Sequence, residues 1–313
     1  MLVMVFAVSI LTVHRAAAQE SKEGGLQATV EVRTPYAHVG EPLMVRLTIF
    51  NGGEKPYEDG SGINLLSGFM VQSSERGLLR PKGKLETDPK KQPAVVTAGG
   101  FFGLVQDVTA VVSDMDQPDT YTIGWKGAGV TSNSLTVKII PKFDPGTQYV
   151  AVFDTDYGSM EFDLLSKSAP LHVGNFFDLA HQGFYNNSNF HLIIRGVELR
   201  AGVPTGTGLG RPIYSIQPEI SPDLKHRRGT LSMIHMPTVK QDNGSQFVIT
   251  LSSVEGYDGF LSIFGQLRKG EETLQALENI PTTGQYQTPI FTPLKPVVIK
   301  SVTVKKAEDV KGG

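Results

Sequence analysis

The run Asn243-Gly244-Ser245-Gln246-Phe247-Val248-Ile249-Thr250 carries the reading of the whole chain. Asn-Gly accepts positive φ at little steric cost and apolar residues alternate after it, so the run reads as a turn feeding a half-buried strand. Upstream, Phe190-His191-Leu192-Ile193-Ile194-Arg195-Gly196 is a strand ending in glycine, and the glycine-rich run Gly206-Thr207-Gly208-Leu209-Gly210 follows it. That run precedes Arg211-Pro212 rather than a helix N-terminus, so it is no phosphate cradle. Next come Lys225-His226 and Gly229-Thr230-Leu231-Ser232-Met233, then Asp258-Gly259 and Phe264-Gly265 beyond the central strand.

Further out, Val150 to Thr155 and Met160 to Leu164 flank Tyr157-Gly158-Ser159 as a hairpin. A helix follows, with Ser168 as its N-cap, Pro170 in its first turn and Gly183 closing it, because Val173, Phe176, Phe177 and Ala180 recur at helical spacing. A second helix is expected at Glu271 to Glu278, striped by Leu274 and Leu277 and stopped by Pro281. The last strand is Val297 to Val304.

Taken together and in this order, these motifs resemble the cyclophilin family of peptidyl-prolyl isomerases, over roughly Tyr149 to Lys305. The resemblance implies a closed eight-stranded antiparallel β-barrel with two helices and an outer groove for proline. It also implies an isomerase that assists protein folding, acts on a proline-containing peptide or unfolded protein, and uses no cofactor. Rotating an X–Pro bond means losing amide resonance, a barrier of about 18–20 kcal/mol. A donor at the carbonyl or the proline nitrogen, with an apolar pocket on the ring, favours the twisted state.

The family's key arginine follows the Phe-His pair, where this chain has Leu192. The resemblance further implies groove positions at Val197, Glu198, Ile234, His235, Val248, Tyr257 and Leu261, and most of these differ from the family's pattern. Gln246 matches it, and Arg200 stands where the family has glutamine, so Arg200 and Gln246 are the candidate catalytic residues. Either the donor has moved to Arg200, or Glu198 and Arg200 form an ion pair on a solvated surface. The frame is that of an isomerase and the pocket is rewritten, so the expectation is weak or absent activity, with a non-catalytic peptide- or protein-binding module as the alternative.

The remaining signals set context. The 313 residues suggest two domains, and a hydrophobic fraction of 40% lets both bury a core. A net charge of -2 argues against a nucleic-acid partner. The absence of cysteine removes disulfides and thiol chemistry, and the scattered histidines His172, His181, His191, His226 and His235 show no metal-ligand spacing. Asp154, Asp156 and Asp242 read as turn-shaping residues.

The apolar run Leu2 to Val13, followed by Ala16-Ala17-Ala18, reads as a signal peptide over residues 1–18, too short for stable membrane insertion. Export to the periplasm or beyond is the expected localisation. Alternating strands such as Leu43 to Phe50 and Asp119 to Trp125, spaced by turns, give an immunoglobulin-like β-sandwich over residues 26–140. Trp125 lies within a strand pattern and is assigned to its core. A linker at 141–147, a cyclophilin-like domain at 148–306 and a disordered tail at 307–313 complete a mainly β chain.

Overall fold

The computed structural model describes residues 25–58, 68–82, 95–203 and 214–310. The segment expected to be a signal peptide, most of the loop before Pro93, the glycine-rich run 206–210 and the last three residues lie outside the described residues. The chain divides into two compact units, Met1–Pro141 and Lys142–Gly313. No helix among the described residues is long and apolar enough to cross a membrane.

The first unit runs β1 (Leu26–Val32), β2 (Tyr36–His38), β3 (Met44–Asn51), β4 (Tyr57–Glu58), β5 (Phe69–Ser73), β6 (Gly77–Leu78), β7 (Val95–Val96), β8 (Phe101–Asp107), α1 (Val108–Val111), β9 (Asp119–Gly127), β10 (Val130–Thr131) and β11 (Leu135–Ile140). One sheet has the order β1-β3-β8 and the other β2-β11-β9-β5-β6, with β10 beside β9. Side chains alternate across each strand, so Val45, Leu47 and Ile49 of one sheet and Tyr121, Ile123 and Trp125 of the other meet in one core. That shared core makes the unit a β-sandwich. Asn133 also ties the strands together, its carboxamide accepting from Val30 N–H at 2.8 Å and donating to Val30 C=O at 3.0 Å.

The second unit holds β12 (Tyr149–Thr155), β13 (Gly158–Leu164), α2 (Pro170–Gln182), β14 (Ser188–Asn189), β15 (Leu192–Ile194), β16 (Glu198–Ala201), β17 (Ser215–Ile216), β18 (Thr230–Met236), β19 (Gln241–Thr250), β20 (Ile263–Lys269), α3 (Glu271–Glu278) and β21 (Val298–Lys306). Its sheet order is β14-β21-β12-β13-β20-β18-β19-β16-β15, with β17 attached to β19. The two ends of this order are neighbours in the chain. Phe190 N–H bonds Val297 C=O at 3.0 Å and His191 N–H bonds Arg200 C=O at 3.0 Å, so one bent run, 188–194, joins both edges. Counted as one strand, that run closes eight strands into a barrel and leaves no edge at the seam. The apolar stripes of α2 and α3 enter the barrel core, with Phe176 stacked on Tyr185 at 5.0 Å and Leu274 and Leu277 fully buried.

Four local readings change. Ser168 does not cap α2: the cap residue is Ala169, Pro170 opens the helix, and Gly183 ends it at φ 78°. The N–H groups of Leu171 and His172, which have no partner within the helix, are instead taken by the Glu219 carboxylate, at 3.0 and 2.9 Å, where the helix dipole favours an anion. Asn243-Gly244 is likewise no turn. The hairpin turn falls at 237–240, and Asn243 and Gly244 lie inside β19, where the ladder to β18 slips: four residues between Asp242 and Phe247 face one between Met233 and His235. The Asn243 side chain repairs the slip by accepting from the N–H groups of Ser245 and Gln246, each at 2.9 Å. Within the linker, Phe143 packs on Phe177 at 5.7 Å and Asp144 accepts from Gly146 N–H at 2.9 Å, so this end of it is ordered against the second unit's own core. The tail also begins ordered, because Ala307 N–H bonds Gln148 C=O at 2.9 Å and residues 307–310 form a turn.

Candidate functional site

Two parallel rows run across β15, β16, β19 and β18. Ile193, Leu199, Ile249 and Leu231 are register partners and lie in the barrel core. One residue along, Leu192, Arg200, Val248 and Ser232 are register partners too, and the two-residue period of a strand puts them on the outer face. Glu198, two residues before Arg200, shares that face. At the end of β16, Gly202 adopts φ 91°, and a Cβ there would lie 2.1 Å from the Ser245 carbonyl, so only glycine lets the two strands approach beside Gln246.

Glu198 and Arg200 do form an ion pair, but not on a solvated surface. The Glu198 side chain is completely buried, and its Oε1 lies 2.6 Å from both Nε and one Nη of Arg200. Its Oε2 accepts from the Tyr257 hydroxyl at 2.7 Å. A buried carboxylate is costly unless each oxygen is satisfied, and here both are. Burial, and then the bond to Glu198, raise the Tyr257 pKa above its ordinary value. Asp258 fixes the segment that carries Tyr257, accepting from His226 N–H at 2.8 Å and meeting the ring Nδ1 at 2.9 Å. These two bonds hold the Asp258 carboxyl below the usual carboxylate range.

The other candidates divide by burial. Leu192, Val197, Ile234, His235, Gln246 and Tyr257 are half-buried, as is Arg200. Val248 is 1% and Leu261 8% exposed, although Val248 stands on the outer face. The apolar floor is therefore covered.

His191 carries a buried Nδ1 without a hydrogen-bond partner in the structure. Burial, and then the Arg200 cation, lower its pKa from 6.5 to about 4. In that window the unfolded chain binds a proton that the folded chain refuses, so stability is present above pH 6.5 and is lost as pH falls toward 4. The expected loss is about 2 kcal/mol after screening. Denaturant midpoints measured across the window should show a shallower slope for His191→Gln than for the natural chain, and equal slopes would mean that His191 does not set this dependence.

A second cluster joins residues far apart in sequence. Asp242, fully buried, meets His172 Nε2 at 3.0 Å and His235 Nδ1 at 2.8 Å, and accepts from the Ser262 hydroxyl. The other nitrogen of His172 lies 2.6 Å from Glu219, which caps α2 through its backbone N–H groups. Asp242 is thus no turn-shaping residue, and two of the scattered histidines converge on it. The one signal for this in the sequence is His172 on the buried face of α2, beside Val173, where a polar ring requires a partner. Among the described residues, no group of three or more His, Asp and Glu side chains is placed to hold a metal ion.

The site thus offers N–H donors on a fixed guanidinium, hydroxyl and imidazole groups at hydrogen-bond distances, and apolar side chains beneath them. Such donors can stabilise a polar group by hydrogen bonding.

Comparison with known proteins is consistent with this frame. Residues 150–304 match the family model for cyclophilin type peptidyl-prolyl cis-trans isomerase/CLD. A peptidyl-prolyl cis-trans isomerase of Helicobacter pylori is 35% identical over 144 residues, 46% of this chain and 87% of that protein. A peptidyl-prolyl cis-trans isomerase-like 1 protein of Aspergillus fumigatus is 41% identical over 138 residues, 43% of this chain and 84% of that protein. A crystal structure of a Cryptosporidium parvum cyclophilin type isomerase, determined in the presence of the dipeptide Ala-Pro, is 38% identical, covers 50% of this chain and 99% of its own, and has a TM-score of 0.47.

Proposed function

The chain belongs to the cyclophilin-type peptidyl-prolyl cis-trans isomerase family, and from that premise we propose that it is an exported member that binds proline-containing segments of peptides or unfolded proteins and turns them over slowly. The observation that carries the slow rate is Leu192. It stands on the outer face beside Arg200 and supplies hydrocarbon where the family supplies a guanidinium. Losing one such preorganised donor costs on the order of 2.7–4 kcal/mol of transition-state stabilisation, a hundredfold or more in rate, of which a donor displaced to the neighbouring strand recovers only part. The apolar run Leu2 to Val13 and the small residues Ala16 to Ala18 support export.

A second reading, a non-catalytic binding module of the cell envelope, is favoured by the covered floor, since Val248 and Leu261 leave little apolar surface open to a proline ring. Isomerisation of an Xaa-Pro peptide by the full chain, with peptide binding followed by calorimetry, separates the two. Binding with slow but measurable turnover is expected. Binding without turnover supports the module, and neither activity nor binding overturns both.

A further inference from the structure

Resting on that isomerase reading, we propose that Arg200 is the catalytic hydrogen-bond donor of this groove, held in place by Glu198 and Tyr257 as positioning residues. A long cationic side chain on a solvated strand face samples many rotamers, and its donors have no fixed direction. Here the guanidinium is gripped along one edge, Nε and one Nη both lying 2.6 Å from Glu198 Oε1. Glu198 is itself immobile, buried completely and held on its second oxygen by the Tyr257 hydroxyl at 2.7 Å. The clamp therefore joins β16 to the segment carrying Tyr257.

Arg200 keeps donors to spare. A guanidinium has five N–H groups; Glu198 takes two, and the Tyr257 oxygen takes at most one, which leaves at least two for a ligand. The side chain is 35% exposed, so these donors are within reach of a bound peptide. Arg200 sits directly between Leu192 on β15 and Val248 on β19, so its charge is flanked by hydrocarbon on the same face.

That combination suits the reaction. When the X–Pro bond twists, amide resonance is lost and the lone pair returns to the proline nitrogen, which then accepts an N–H more strongly than it does in the planar state. No bond is made or broken, no proton moves, and an always-protonated donor is sufficient. The clamp removes the reorganisation that a free arginine would undergo at the moment of rotation.

The test measures isomerisation of an Xaa-Pro peptide and calorimetric binding of the same peptide, using the full chain. R200Q should lower kcat about a hundredfold while the peptide Kd changes less than threefold. Lysine should not rescue it, because a point cation cannot take the two-nitrogen clamp. Y257F and E198Q should each lower kcat about tenfold at unchanged KM, and E198A should lower it more than E198Q, since the amide retains an acceptor. Thermal transitions of each variant separate these losses from unfolding, and Y257F, which removes a single hydroxyl, keeps the test available if a position 198 variant does not fold. An R200Q protein that binds peptide and keeps the natural kcat would overturn the proposal and leave the isomerase reading standing. A natural chain that neither binds nor isomerises overturns both.

Discussion

Arginine at position 192 in a chain whose Arg200 is glutamine (L192R/R200Q) is expected to isomerise Xaa-Pro peptides with a kcat/KM about a hundredfold above that of R200Q alone, about 2.7 kcal/mol of transition-state stabilisation. Leu192 and Arg200 are direct register partners on the outer face, so their Cβ atoms stand about 5 Å apart and a guanidinium from either strand reaches the same space. The glutamine matters because two adjacent guanidinium groups repel, and because it frees Glu198 to accept from the incoming arginine. Glu198 is buried and cannot remain unpaired without cost, so it draws the new side chain into place. A gain below threefold, with peptide binding intact, would show that the covered floor at Val248 and Leu261, and not the donor, limits the rate.

Removing Asp242 is expected to have the largest effect on stability. Asp242→Ala takes away the acceptor shared by His172, His235 and the Ser262 hydroxyl at a site where Asp242, His172 and Ser262 are fully buried. Leaving buried polar partners uncompensated costs about 3–5 kcal/mol. For a unit of this size each kcal/mol moves the melting temperature by about 2–4 °C, so a fall of about 10 °C is expected in calorimetry of the full chain. Asp242→Asn keeps one acceptor oxygen and should lose about half as much. The effect should spread to α2, because His172 also meets Glu219, the carboxylate that caps that helix. A loss below 1 kcal/mol for the alanine variant would mean that water reaches the network, against the complete burial of His172 and Asp242.

How far each feature was legible depends on the range of the forces behind it. The bounds of α3 agree with the sequence reading, because Leu274 and Leu277 at helical spacing and Pro281 beyond them are local signals. Trp125 proves fully buried, as alternation along β9 requires. The outer position of Leu192, Arg200 and Val248 follows from the period of two once the strands are known. Asn243-Gly244 misled because a dipeptide that favours a turn also tolerates a strand when its own side chain satisfies the backbone. Ser168 misled for a related reason: a carboxylate from Glu219, 48 residues downstream of Leu171, captured the helix terminus first.

Periodicity, turn chemistry and the ordered motifs between Phe190 and Gly265 by themselves determined a mainly β chain with a cyclophilin-type second half. These are properties of residue type and spacing, readable before any two distant segments meet. Only the tertiary structure decided that Glu198 is a buried anion clamping Arg200 under Tyr257, and that His172, Asp242 and His235 form one network. Burial and pairing of a charge depend on what barrel closure packs over it, and residues 59 and 70 positions apart carry no mutual signal along the chain.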